Sequence, residues 1–239
     1  MDVDTEVCSV SPVVLRHQGK CVLMAWDERV SLEWFDPENP AIQATPVASG
    51  GRGSAWYVLV LGLPAVLRHF RRGGLIARLV RDLYIWTGVS RTRSFREFET
   101  LASLHADGLN VPRPVAAMAC RTRGMGLFYR AAIVTERIDG ARSLGEMGDA
   151  QVWFRAGEAI SRMHRLGVWH ADLNVHNLQV DRDGAVWIID FDRARHRVGD
   201  SSQLRDNLRR LERSILKVCP GLHDKCWPML LAGYGQANV

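Results

Sequence analysis

Apolar positions change their period partway along this chain of 239 residues. From Ala55 to Phe70 they come in short runs: Trp56-Tyr57-Val58-Leu59-Val60, then Gly62-Leu63-Pro64 as punctuation, then Ala65-Val66-Leu67-Arg68. That is the pattern of a β-hairpin. Residues 94–106 switch to helical spacing, with Phe98, Leu101 and Leu104 on one side and a Ser94/Glu97 capping-box interval at the start. Val111-Pro112-Arg113-Pro114 closes that region, and Ala131-Ala132-Ile133-Val134 reads as a further strand. Beyond Gly140 helical spacing takes over. Val152, Ala156, Ala159, Ile160 and Met163 predict one buried helix face, and Leu204, Leu208, Leu211, Ile215 and Val218 another. Between these helices, Leu178-Gln179-Val180 and Ala185–Ile189 flank Asp181-Arg182-Asp183-Gly184, a strong hairpin turn. Residues 1–50 are mixed, with Pro37, Pro40 and Pro46 interrupting any long helix. Strands before about 138 and helices after it predict an α+β fold, with a boundary near Gly140.

Composition narrows this picture only a little. Hydrophobic residues at 47% and charged residues at 24% describe an ordinary globular chain. No run of 18 apolar residues is present to span a bilayer, and the acidic start Met1-Asp2-Val3-Asp4 leads to no expectation of a secretory signal. Five scattered cysteines without a C-x-x-C predict reduced thiols, neither a disulfide framework nor a zinc site. The net charge is +5, but arginines at 68, 71, 72, 78, 81, 91, 93 and 96 crowd one stretch in which Asp82 is the only acid before Glu97. Such an excess either forms a solvated face or attracts an anionic partner, and the planar guanidinium favours the second.

The chemistry concentrates in His170-Ala171-Asp172-Leu173-Asn174-Val175-His176-Asn177, of the form H-x-D-L-x-x-x-N, and in Trp187-Ile188-Ile189-Asp190-Phe191-Asp192, a strand ending in D-F. A hydroxyl is a poor nucleophile, and phosphoryl transfer is mostly positioning and charge neutralisation. Asp172 supplies a carboxylate for the hydroxyl proton. Asn177 and Asp190 supply oxygens for Mg²⁺ against the phosphates of ATP. Singly, each has a plain alternative as helix cap, turn residue or strand end; the three in order at these intervals point to a kinase-type phosphotransferase. His170 is expected to pack inward on backbone, and His176 to be an ordinary polar loop residue. Upstream, Gly50-Gly51-Arg52-Gly53-Ser54 resembles a phosphate-covering loop in which Gly51 and Gly53 allow close backbone approach, although G-K-[ST] is missing. Arg68 stands where a kinase carries the lysine of V-A-I-K. Glu97 is its expected acidic partner, with Glu99 as the fallback.

Gly51–Trp56, Leu67–Gly74 (L-R-H-F-R-R-G-G), Tyr84–Gly88 (Y-I-W-T-G) and His170–Asn177 together resemble the bacterial 3-deoxy-D-manno-octulosonic acid (Kdo) kinases. These form the lipopolysaccharide kinase group of the protein-kinase-like fold. The similarity runs over roughly residues 30–235, and R-H-F-R-R-G-G and W-T-G are its specific part. The resemblance implies a bilobal fold with a small β-rich lobe over 1–139 and a mainly helical lobe over 140–239. It implies ATP-dependent transfer to the 4-hydroxyl of Kdo on a lipid A precursor, at the cytoplasmic face of the inner membrane. In that reading Asp172 is the base, Asn177 and Asp190 are the metal ligands, and Arg68 with Glu97 positions phosphate. Ala171, Asn174 and Asp192 depart from the protein-kinase pattern (Arg, Lys and Gly, respectively), and no A-P-E follows, which argues against an activation-loop switch. Arg71, Arg72, Arg78 and Arg81 then acquire a role in docking an anionic glycolipid at the membrane, with no nucleic acid expected. The competing readings are another small-molecule or protein kinase on the same scaffold, and a membrane-binding pseudokinase. Retention of all three catalytic residues weighs against the second.

Overall fold

The structure, a computed structural model, describes residues 11–17, 19–47, 54–71, 82–122, 126–196 and 201–236. The chain divides into two compact units: residues 1–95 with 114–135, and residues 96–113 with 136–239.

The first unit is built on one sheet. Its strands are β1 (Val13–His17), β2 (Cys21–Ala25), β3 (Thr45–Pro46), β4 (Ala55–Val60), β5 (Leu63–His69), β6 (Tyr84–Ile85), β7 (Pro114–Arg121) and β8 (Phe128–Glu136). They run in the order β1-β2-β7-β8-β5-β4-β3, with β6 paired to β8 off that path. The β4–β5 hairpin forms as its sequence predicts, Val60 facing Leu63 across a two-residue turn. The β1–β2 hairpin lies inside the stretch whose sequence read only as mixed. Alternate residues build the core: Leu23 and Ala25, Val58 and Val60, Ala65 and Leu67, and Ala132 and Val134 are all buried, and Trp34 and Phe35 close over them. Burial on one face of alternating strands is what holds this register, because a slip of one residue would expose the whole set.

One expectation fails here. Cys21 and Cys120, 99 residues apart in sequence, form a disulfide. The β2–β7 register sets them directly opposite. The adjacent Arg121 N–H to Lys20 carbonyl bond (2.9 Å) leaves them at a non-hydrogen-bonded pair, where antiparallel strands come closest. Their Cα atoms are 4.0 Å apart. Spacing along the chain carries no trace of this, because the proximity is made by strand pairing. Cys219 and Cys226 are free thiols.

Helix α1 (Arg93–Ala106), which belongs to the second unit from Arg96 onward, buries Phe98, Leu101 and Leu104 as its periodicity predicts. Its start differs from the predicted capping box. Ser94 already lies inside the helix, in the part that belongs to the first unit, and its hydroxyl donates to the Met118 carbonyl of that unit (2.8 Å). The remaining elements are β9 (Arg142–Ser143), α2 (Ala150–Arg165), β10 (Val168–Trp169), β11 (Leu178–Val180), β12 (Val186–Ile188), β13 (Arg195–His196), α3 (Ser201–Val218) and α4 (Pro220–Gln236). Asp149 caps α2 by accepting from the Gln151 N–H (2.9 Å). Helix α4, which carries Pro228 and three glycines, has no clear apolar period and is not legible in the sequence. It packs on α2 through Gly157 and Gly233. A Cβ at Gly157 would overlap the Leu230 carbonyl, and one at Gly233 would overlap the Phe154 carbonyl. Backbone therefore meets backbone at this crossing.

Candidate active site

The loop from His170 to Asn177 is held almost entirely by groups within the second unit. Strand β10 delivers the chain into it, and a 3-10 turn over Val175–Asn177 leads out into β11. His170 is buried (1% exposed). Its Nε2–H donates to the Ile189 carbonyl (3.0 Å), and its Nδ1 accepts from the Asp172 N–H (3.2 Å). The edge of its ring meets Phe191, with centroids 4.9 Å apart. This is the inward, backbone-bonded histidine expected from sequence. The imidazole joins the His170–Asn177 loop to the segment that enters D-F, His170 and Ile189 being 19 residues apart.

Asn207 of α3 clamps the same point. Its Oδ1 accepts from the His170 N–H (3.2 Å), and its Nδ2 donates to the His170 carbonyl (2.8 Å). The same Oδ1 lies 3.2 Å from Nε2 of His164, whose other ring nitrogen meets the Tyr234 hydroxyl at 2.9 Å. Sequence reasoning missed Asn207. A lone buried polar residue on the apolar face marked by Leu204, Leu208, Leu211 and Ile215 was the available signal, since such a group requires partners.

Asp172 is shaped from both sides. Its carbonyl accepts from Nδ2 of Asn174 (2.8 Å) and from Nδ2 of Asn177 (2.9 Å). Asn174, which stands at the position of the usual lysine, is thus a capping residue. Its Oδ1 also receives the N–H groups of His176 (2.9 Å) and Asn177 (3.3 Å). With its backbone fixed, Asp172 presents a side chain that is 51% exposed and ion-paired to Arg210 of α3. Arg210 is the second residue that the sequence did not reveal. Ser214, one turn further along α3, accepts the Val175 N–H (3.1 Å), so α3 braces the loop at three places.

The β11–β12 hairpin links Asn177 to the segment that carries Asp190. Leu178 pairs with Ile188, and the next bond runs from the Ile189 N–H to the Asn177 carbonyl (3.0 Å). Ile189 thus lies opposite Asn177, and Asp190 is the next residue along the chain. Asp190 adopts φ +66°, a left-handed conformation that non-glycine residues enter at a cost of order 1–3 kcal/mol. The hairpin turn itself is tied by Asp181, which accepts from the N–H groups of Asp183 (3.0 Å) and Ala185 (2.8 Å) and from Trp187 Nε1 (2.7 Å).

The other expected residues fall as follows. Arg68 lies on β5, its guanidinium 4.7 Å from the Phe70 ring centre. Glu97 lies on α1 and is buried (2% exposed), whereas the fallback Glu99 is exposed. Arg71 is exposed. Gly51, Gly53, Arg72, Arg78 and Arg81 lie outside the described residues. His176 is an exposed loop residue. A cavity of about 390 Å³ in the second unit, lined by Arg113, Glu136, Asp139, Arg182 and Trp187, is separate from this loop. Four of the charged residues in its lining are matched in the Arg113–Glu136 (2.6 Å) and Arg182–Asp139 (3.1 Å) pairs.

Burial pulls the pKa values of His170 and His164 below the ordinary histidine value of 6.5, and does the same for His69 in the first unit. All three are therefore neutral in the fold. As pH falls below 6.5 the unfolded chain takes up protons that the native chain refuses, so this stability is complete above 6.5 and is lost on acidification. Urea denaturation at about pH 7.5 and about pH 5.5 should show a lower midpoint at the acidic value, with the slope against urea unchanged.

A family model described as the lipopolysaccharide kinase (Kdo/WaaP) family matches residues 39–234. A 3-deoxy-D-manno-octulosonic acid kinase of Stenotrophomonas maltophilia (strain R551-3) is 46% identical over 188 residues, covering 77% of this chain and 74% of the relative. A protein of the same name from Vibrio vulnificus (strain YJ016) is 42% identical over 224 residues, covering 90% and 93%. One from Xanthomonas axonopodis pv. citri (strain 306) is 45% identical over 188 residues.

Proposed function

Because the chain belongs to the lipopolysaccharide kinase (Kdo/WaaP) family, we propose that its His170–Asn177 loop and Asp190 transfer phosphate from ATP to a hydroxyl of Kdo in lipopolysaccharide biosynthesis. The observation that carries the residue assignment is the loop itself. Asp172 has its backbone pinned by two asparagine amides and its carboxylate exposed, while the hairpin sets Ile189 opposite Asn177 and so brings Asp190, the next residue, to the same end. A carboxylate so placed takes the proton of an incoming alcohol as the alcohol oxygen bonds the γ-phosphorus and the bond from that phosphorus to the oxygen of the departing ADP breaks. Arg210 beside it supplies the cation that Asn174 does not. Arg68 and Glu97 serve the ATP phosphates in this reading, together with the Gly51–Gly53 loop.

The residues present fit Mg²⁺. Both side chains offer hard oxygen. Asn177 uses its Nδ2–H on the Asp172 carbonyl, which leaves the amide oxygen as its end for a cation. Among the described residues no group of three or more His, Cys, Asp or Glu side chains assembles. Two protein ligands suit an ion that keeps waters and takes phosphate oxygens. When bound, the ion neutralises charge on the phosphates.

The acceptor is the 4-hydroxyl of Kdo on a lipid A precursor. The enzyme works at the cytoplasmic face of the inner membrane, held there in part by Arg71, Arg72, Arg78 and Arg81. Among the described residues no helix is long and apolar enough to cross a membrane, so this reading is one of peripheral attachment. Incubation with ATP, Mg²⁺ and Kdo-bearing lipid A precursor should add one phosphate, located on the Kdo ring by mass spectrometry. Absence of the product would overturn the acceptor. In the same assay Asn177→Ala and Asp190→Asn should raise the Mg²⁺ concentration needed for half-maximal rate by about tenfold or more. An unchanged Mg²⁺ dependence would remove both from the metal site.

A further inference from the structure

We propose that Arg213 of α3 binds the carboxylate of the acceptor sugar and so selects an acidic sugar for phosphorylation. This rests on Kdo as the acceptor and adds to that reading the residue that recognises it.

Three side chains of α3 set the His170–Asn177 loop along the helix. Asn207 holds the backbone of His170, Arg210 pairs with Asp172, and Ser214 accepts the Val175 N–H. Loop and helix therefore advance in the same direction, and the side of α3 around Arg210 lies beside the carboxylate that receives the hydroxyl proton. At 3.6 residues per turn, Arg213 stands about 60° round the helix from Arg210, and Lys217 about 20°. Arg210 and Arg213 are neighbours on that side, about 5–6 Å apart at Cβ.

The fold makes no use of Arg213. Both acids of α3 are engaged elsewhere, Asp206 with Arg209 (3.5 Å) and Glu212 with His223 (3.3 Å). Arg213 and Lys217 are exposed and have no ion-pair partner among the described residues. Lys217, in the last turn, faces the negative end of the helix dipole and extends the positive field. Arg210 is occupied by Asp172. Arg213 is thus the unengaged guanidinium nearest to Asp172 along this side of α3.

The chemistry of the acceptor selects the ligand. Kdo carries its acid group on ring carbon 2 and the reacting hydroxyl on ring carbon 4, with the methylene of carbon 3 between them. A cation that binds this carboxylate has to stand within one sugar ring of the base, which is the position of Arg213. A planar guanidinium meets a carboxylate through two parallel N–H···O bonds, a geometry that an ammonium group lacks. Any phosphate on the lipid portion is at least one glycosidic bond further away.

The test crosses enzyme variants with two acceptors. One is detergent-dispersed Kdo-bearing lipid A precursor. The other is the same molecule with its Kdo carboxyl groups methyl-esterified, which keeps every phosphate and hydroxyl and removes only the charge on the sugar. With native enzyme, esterification should raise KM by about tenfold or more. Arg213→Ala should raise KM for the acid by about the same factor with kcat near native, since ground state and transition state lose the contact alike. On the ester it should change KM by less than about twofold, because the partner is already gone. Arg213→Lys should recover part of the loss on the acid. Arg205→Ala removes an exposed charge from the same helix, about 140° round from Arg210, and should leave both KM values unchanged. All three variants should keep the native thermal midpoint, because the side chains they replace are exposed. Equal losses for Arg213→Ala on acid and ester would place its anion elsewhere on the acceptor and overturn the proposal. A native KM in Arg213→Ala, or an equal loss in Arg205→Ala, would overturn it too. In each of these cases Kdo stands as the acceptor. A native enzyme that phosphorylates neither molecule overturns the acceptor and this inference with it.

Discussion

Asp172→Asn is expected to lower phosphoryl transfer by about 10³-fold while leaving ATP binding and the thermal midpoint near native values, since base catalysis contributes 10²–10⁴ in rate. The variant keeps the shape of the side chain and both amide bonds to the Asp172 carbonyl, so the loop has no reason to move. What is lost is the acceptor for the hydroxyl proton and the charge that faces Arg210. Arg210→Met completes the experiment. The pair is half-exposed, so its removal should change stability little. Turnover should nevertheless fall by about tenfold or more, because the carboxylate loses the group that orients it and small misplacements are costly in rate. Arg210→Lys should recover part of that loss. Single-turnover kinetics with saturating ATP would read all three. Native turnover in Asp172→Asn would remove this residue from the mechanism, and native turnover in Arg210→Met would reduce Arg210 to a surface ion pair.

The largest effect on stability should come from a substitution that adds a single methyl group. Alanine for glycine inside a helix ordinarily stabilises by about 1 kcal/mol. At Gly157 and Gly233 the sign should reverse, with each alanine costing about 3 kcal/mol or more in urea denaturation. A Cβ at either position runs into carbonyl backbone of the opposite helix, which has no rotamer by which to yield. Helices α2 and α4 would have to move apart, loosening Trp153, Ile160 and Leu230, all fully buried. The double variant should cost less than the sum, because one separation relieves both overlaps. Either alanine at native stability would mean that the crossing is looser than described.

Much of the second unit was legible because its signals are local. The spacing of Val152, Ala156, Ile160 and Met163 marks α2, and Asp181–Gly184 marks the turn that sets Asn177 opposite Ile189, one residue before Asp190. The reverse holds for α4, where Gly233 and Pro228 look like helix breakers in sequence and Gly233 is in fact a contact surface. The β1–β2 hairpin was hidden by a different cause. Val14 and Leu15 are exposed and Leu23 and Met24 are consecutive buried residues, so neither strand alternates cleanly.

By itself the sequence determined the reaction class, through Asp172, Asn177 and Asp190 at fixed intervals, and the family, through segments such as R-H-F-R-R-G-G. Such information is carried by neighbours in the chain. Tertiary structure alone decided which distant groups meet: Asn207 clamping His170, Arg210 on Asp172, and Cys120 bonded to Cys21. Each of these is a pairing between elements far apart in sequence. Helix packing and strand register create the distance that makes it real, and neither is written in the spacing of the residues involved.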